Sequence, residues 1–124
     1  MLPFFAGNEI IGTVKERIKH MVEQISSVAE FDAVLNGNKS VFVDFFATWC
    51  GPCKMVGPVV EKISETETDV KFVKVDVDEV GELAQRYGIM SIPALMAFRE
   101  GEKVGEIVGF APEPQLKALA DKAK

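Results

Sequence analysis

The chain has 124 residues, 48% of them apolar and 27% charged, an ordinary globular mixture near the commonest size for one domain. That balance excludes a disordered chain, a collagen-like repeat, a coiled coil and, with only two cysteines, a disulfide-laced mini-protein. A formal net charge of -5, from 14 basic against 19 acidic side chains, gives no bulk attraction to nucleic acid or anionic lipid, and the apolar opening Met1 to Ala6 is far short of the roughly 20 residues a bilayer needs.

Residues 1 to 21 are expected to form an extension to a domain spanning 22 to 124. Between Asn8 and Val22, the residues Ile10, Ile11, Val14, Ile18, Met21 and Val22 recur at the spacing of one helical face. Residues 1 to 21 carry Lys15, Arg17 and Lys19 against Glu9 and Glu16, a balance of 3 - 2 = +1 that leaves -6 for the rest. One Arg, no Ser and two Glu fit a plain helical extension better than a mitochondrial presequence, which is Arg- and Ser-rich and poor in acids. Met21 to Ile25 also reads as a short edge strand, overlapping that helix.

Ser27-Val28-Ala29-Glu30 has the pattern of a capping box, so a helix is expected to start there and to bury Phe31, Val34 and Leu35. Asn36-Gly37 should close it with residues that take positive φ readily. Val41 to Ala47 is a near-continuous β-branched and aromatic run, the pattern of a strand covered on both faces. Asp44 interrupts it on the face shared by Phe42 and Phe46, where desolvation should raise its pKa. Cys50 to about Thr66 reads as a helix with Pro58 inside it, which predicts a kink. Val70 to Val77 is a second strand, and Asp78 offers a cap for a helix through Leu83 and Tyr87, closed by Gly88. Leu95 to Phe98 and Val104 to Val108 flank Arg99 to Lys103 as a hairpin, and Pro112 or Pro114 opens a last helix. The order β-α-β-α-β-α-β-β-α predicts an α/β fold: a mixed central sheet with helices on both faces.

Trp49-Cys50-Gly51-Pro52-Cys53 sets two thiols three positions apart where a buried strand meets a helix. Free N–H groups and the positive end of the macrodipole favour a thiolate at the first turn, so Cys50 should have the lower pKa, with Cys53 one turn in and shielded. Such a pair can attack a partner's disulfide through Cys50 and be released by Cys53. Pro52 suits the first turn, where its missing donor is not needed. Two bland readings compete: packing cysteines, which need neither Gly-Pro nor a helix start, and half a zinc site, for which only His20 remains besides, although four ligands are usual.

Val43 to Met55, containing Thr48-Trp49-Cys50-Gly51-Pro52-Cys53-Lys54, together with Lys74 to Asp78, Ile92-Pro93 and Val108-Gly109, resembles the thioredoxin family from about residue 22 to the C-terminus. The resemblance implies that Cys50 is the nucleophile, that Cys53 resolves the mixed disulfide, that Asp44 accepts or delivers the proton of Cys53 through water, and that Lys74 is the lysine that lies near this acid. It also implies a cis bond before Pro93, against the ordinary preference for trans. Partners would dock on a surface of Trp49, Gly51, Pro52, Val77, Ile92, Pro93, Val108 and Gly109. Two residues depart from the family pattern: Phe46, where many members carry Trp, and Ala94, where Thr is frequent.

Gly51-Pro52 between the cysteines resembles the reducing branch of the family, which implies a protein-disulfide reductase rather than an oxidase or isomerase. A redox-capable docking module is a further alternative. The family reading implies no bound cofactor or metal beyond a redox-active Cys50-Cys53 disulfide. It implies electrons from a thioredoxin reductase that draws on NADPH, and acceptors such as peroxiredoxins, methionine sulfoxide reductases or ribonucleotide reductase. A cytoplasmic monomer is expected, with a mitochondrial location as the alternative if the extension is a presequence.

Overall fold

A strand buried on both faces needs consecutive residues that tolerate loss of water, and Ser40–Phe46 supplies them: six of its seven positions are buried and only Phe46 is half-exposed. In the computed structural model, which describes residues 22–124, this strand is the middle of a five-stranded sheet. The elements in chain order are β1 (Val22–Ile25), α1 (Val28–Gly37), β2 (Ser40–Phe46), α2 (Gly51–Thr66), β3 (Lys71–Asp76), α3 (Gly81–Arg86), β4 (Ala94–Arg99), β5 (Glu102–Val108) and α4 (Glu113–Lys122). The sheet order is β1-β3-β2-β4-β5, with β3 parallel to β1 and β2, and β4 antiparallel to β2 and β5. The expected mixed sheet with helices on both faces is therefore present. The helix expected over Asn8 to Val22 lies outside the described residues except at Val22, which opens β1.

Period-two alternation divides the core. Phe42, Phe72 and Leu95 face Val56, Val60 and Ile63 of α2 and Leu116 of α4. Val41, Val43, Phe45, Val73 and Met96 face Phe31 of α1 and Leu83 of α3. Each fully buried aliphatic or aromatic side chain contributes ~1.5–3 kcal/mol relative to exposure, so these two layers fix the strand register that carries Asp44 and Lys74.

The helix ends follow the local sequence signals in part. Ser27 Oγ accepts the Glu30 N–H at 3.1 Å, while Glu30 Oε1 accepts from Ser26 N at 2.9 Å, one residue earlier than a standard capping box. At the other end of α1 the expected positive-φ cap is absent: Asn38 is extended at φ -138, and its side-chain amide donates to the Val34 carbonyl at 2.9 Å. Asp78 does not cap α3, whose N-cap is Val80 without a side-chain bond, because Asp78 is engaged elsewhere. Gly88 does close α3: at φ 61 it donates to Gln85 O at 3.2 Å, and Ile89 N donates to Ala84 O at 2.9 Å, both C-terminal carbonyls being satisfied as only a left-handed residue allows. The β4–β5 connection is tighter than the sequence suggests, with Glu100 and Gly101 at φ 52 and 83 joining strands that extend to Arg99 and Glu102. Pro58 sits inside α2 and Pro114 in the first turn of α4.

Candidate active site

Strand β2 delivers the chain to the end of the sheet, and the Ala47 carbonyl accepts the Cys50 N–H at 3.2 Å, turning the backbone into α2. Cys50 is the N-cap of that helix, and its Sγ accepts the Cys53 N–H at 3.2 Å. A sulfur here takes the place of the capping oxygen that usually satisfies one free donor of a first turn. Cys50 and Cys53 form a disulfide, with Cα atoms 5.3 Å apart. Contrary to the expectation that Cys53 alone is shielded, the two are about equally buried at 4% and 5% exposure. What distinguishes Cys50 is its place at the open N–H groups, together with the Ile92 carbonyl oxygen 3.8 Å from its Sγ. Gly51 and Pro52 are exposed at the start of α2.

Behind the disulfide lies a cavity of about 400 Å3, lined by Asp44, Phe46, Ala47, Cys53, Pro58 and Lys74 among others. Asp44 is 3% exposed, and its Oδ1 has no hydrogen-bond partner among the described residues. Burial pushes its carboxyl up to about 7, and the Lys74 charge opposes that rise. The parallel register sets Lys74 opposite Asp44, and Lys74 Nζ lies 5.7 Å from the centre of the Phe46 ring. The departure at residue 46 thus leaves an aromatic wall in place. A cavity of similar size, about 410 Å3, lies at the far end of β2 beside Ser40, Lys71 and Lys124, with neither a cysteine nor a buried carboxylate in its lining.

The outer face is apolar. The Ile92–Pro93 bond is cis, and the Pro93 carbonyl accepts the Gly109 N–H at 2.7 Å. Gly109 has φ 89, a conformation that side-chain-bearing residues rarely adopt, and in this conformation its N–H reaches the proline loop. The Val77 N–H donates to Phe46 O at 2.9 Å, which holds the end of β3 against β2. Trp49 is 70% exposed, and its Nε1 donates to Asp78 Oδ2 at 2.8 Å, which is where the expected helix cap is spent. Trp49, Val77, Ala84, Ile89, Met90 and Ile92 line a groove of about 160 Å3. The twelve residues singled out in the sequence therefore gather at one end of the sheet, Asp44 and Lys74 behind the disulfide and the others on or beside it.

The sequence pattern does not mark Met55, Met90 and Phe110 as exposed, and it offers Asp78 as a helix cap rather than as the partner of the Trp49 indole. Among the described residues no group of three or more His, Cys, Asp or Glu is placed to hold a metal ion.

The family described as Thioredoxin matches residues 22–122. The chain belongs to the thioredoxin family. It is 44% identical over 103 residues to Thioredoxin-1 of Saccharomyces cerevisiae, a match that covers 83% of this chain and 100% of that protein. It is 50% identical over 100 residues to the thioredoxin of Malassezia sympodialis, covering 79% of this chain and 95% of the relative. The solved structure of Plasmodium falciparum thioredoxin superposes with a TM-score of 0.77 at 44% identity, over 82% of this chain and 98% of that one. With two sulfurs joined at a helix start inside a thioredoxin fold, the chain is a thiol–disulfide oxidoreductase of the protein-disulfide reductase type.

Proposed function

We propose that this thioredoxin-family chain works in the reducing direction, with Cys50 as nucleophile and Cys53 as resolving thiol. The single observation that carries the assignment is the Cys53 N–H pointing at Cys50 Sγ, since the same donor stabilises negative charge on that sulfur once the disulfide is reduced. In the first step the Cys50 thiolate forms a bond to one sulfur of the partner's disulfide, and the other sulfur leaves as a thiolate. In the second, Cys53 gives its proton toward Asp44 through water in the shared cavity, then attacks Cys50 Sγ, breaking the mixed disulfide and expelling the partner sulfur that was bonded to Cys50 as a thiolate. Two electrons pass to the partner, and the Cys50–Cys53 disulfide is regenerated.

A carboxyl group that titrates near neutrality suits this proton exchange, because it can take up and release a proton at working pH. Lys74 tunes that titration, and Trp49, Gly51, Pro52, Val77, Ile92, Pro93, Val108 and Gly109 are assigned as the docking surface. The chain itself offers no cationic side chain between the cysteines to stabilise the reduced form further, which favours reductant over oxidant. Electrons are assigned to a thioredoxin reductase using NADPH, and acceptors to the class of peroxiredoxins, methionine sulfoxide reductases and ribonucleotide reductase. We assign a monomer, on its charged exterior, in the cytoplasm; sedimentation and cell fractionation test these two points.

Replacing Cys53 with Ser tests the roles: mixed disulfides with partner proteins should accumulate and should be lost when Cys50 is also replaced. Accumulation through Cys53 in the converse variant, or through neither sulfur, would reverse or remove the assignment. Turnover of insulin disulfides with reductase and NADPH separates a reductase from a docking module.

A further inference from the structure

Seven of the nine phenylalanines lie in the described residues. Phe31, Phe42, Phe45, Phe72 and Phe98 are at most 2% exposed and Phe46 is half-buried, but Phe110 is 54% exposed. Among the described residues its ring pairs with no other aromatic ring. It stands between Gly109, whose N–H is bonded to Pro93 O, and the buried Ala111, with Val108 55% exposed two residues before it. Val108 in turn pairs with Ala94, the residue after the cis-proline. Val108, Gly109 and Phe110 thus form an apolar ledge that continues the active-site face on the side away from the groove of Trp49 and Met90.

Resting on the disulfide-reducing reading above, we propose that Phe110 is a specificity-determining contact, and that the segments this chain reduces best are extended stretches of partner protein carrying a bulky apolar side chain three or four residues from the attacked cysteine. The reach follows from the path on the surface. Cys50 Sγ is 3.8 Å from Ile92 O, Pro93 is next in the chain, and Gly109 N is 2.7 Å from Pro93 O. An extended segment advances about 3.3 Å per residue, so one held with its sulfur at Cys50 passes Phe110 within three or four residues. Burying half a phenylalanine and the side chain laid on it favours such a segment over a polar one by about tenfold.

The test uses the reduced full-length chain and two synthetic peptides, each closed by one internal disulfide. One has Leu at the third and fourth positions on both sides of the attacked cysteine, the other Ser. Second-order rate constants are followed through Trp49, the sole tryptophan. The wild type should prefer the Leu peptide about tenfold, Phe110→Ala should lose that preference, and Phe110→Leu should keep most of it. Circular-dichroism melts establish that all three chains fold alike. A preference that survives in Phe110→Ala, or is absent from the wild type, overturns the proposal. So does a wild-type dimer that Phe110→Ala dissociates, since the ledge would then belong to a second copy. A wild type that reduces neither peptide refutes the disulfide-reducing reading itself.

Discussion

Replacing Asp44 with Asn should stabilise the protein in mild alkali and change it little in acid. The carboxyl is 3% exposed, with one oxygen unpartnered, and burial lifts its pKa from 3.8 to about 7 against the opposing charge of Lys74. In the unfolded chain the group titrates near the ordinary value of about 3.9. Between roughly pH 4 and pH 7 the folded chain therefore keeps a proton that the unfolded chain has released, and stability falls as pH rises by ~1.4 kcal/mol per pH unit. Over about three units the loss reaches ~4 kcal/mol, and it is complete above the folded pKa. Asn cannot ionise, so its advantage should grow along the same curve and level off above pH 7. Guanidinium unfolding of both oxidised proteins at several pH values from 4.5 to 8 measures this, and near pH 8 the variant should melt roughly 15 °C or more above the wild type. A stability difference that is the same at both ends of that range would refute the reasoning, because it would mean that the folded state solvates or pairs the carboxylate.

Lys74→Met removes the charge that holds the Asp44 carboxyl down, so the midpoint of its titration, read by carbon NMR, should rise above about 7; an unmoved midpoint would mean the register contact has no electrostatic reach. Phe31→Ala opens a cavity among Phe45, Tyr87 and Phe98, whose ring centres lie 6.4, 5.8 and 6.1 Å away. It should cost ~3–5 kcal/mol in urea unfolding, and a cost under about 1 kcal/mol would show that the α1 layer does not anchor the sheet.

Much of the fold was legible because its strongest signals are local and repeated. The apolar run of Val41 to Ala47 and the alternation around it predict a doubly covered strand, and the covered faces are the two observed core layers. Helix ends were less legible. Asn36-Gly37 and Asp78 both suit a cap, but a cap residue can bond to whatever lies nearest in space, and Asp78 bonds to the Trp49 indole rather than to its own helix. The cysteine pair and Asp44 could be read from residue type and position alone, since a thiol at a helix start is readily ionised and an acid in a buried strand is costly without a purpose. Lys74, Ile92-Pro93 and Val108-Gly109 could not, because a lysine in a strand or a glycine in a turn carries no distinguishing chemistry until the sheet register and the Pro93–Gly109 contact bring them to the disulfide. Phe110 was invisible for the opposite reason: nothing in its neighbours' pattern separates an outward phenylalanine from an inward one.

Disulfide reduction by this chain depends on how readily Cys50 loses its proton, and a titration of the reduced protein, following thiolate absorbance with Cys50→Ser and Cys53→Ser as references, measures that directly. Cys50 should ionise below the ordinary thiol value of about 8.5 and Cys53 above Cys50. Two thiols that both ionise at the value of an unfolded peptide would contradict it.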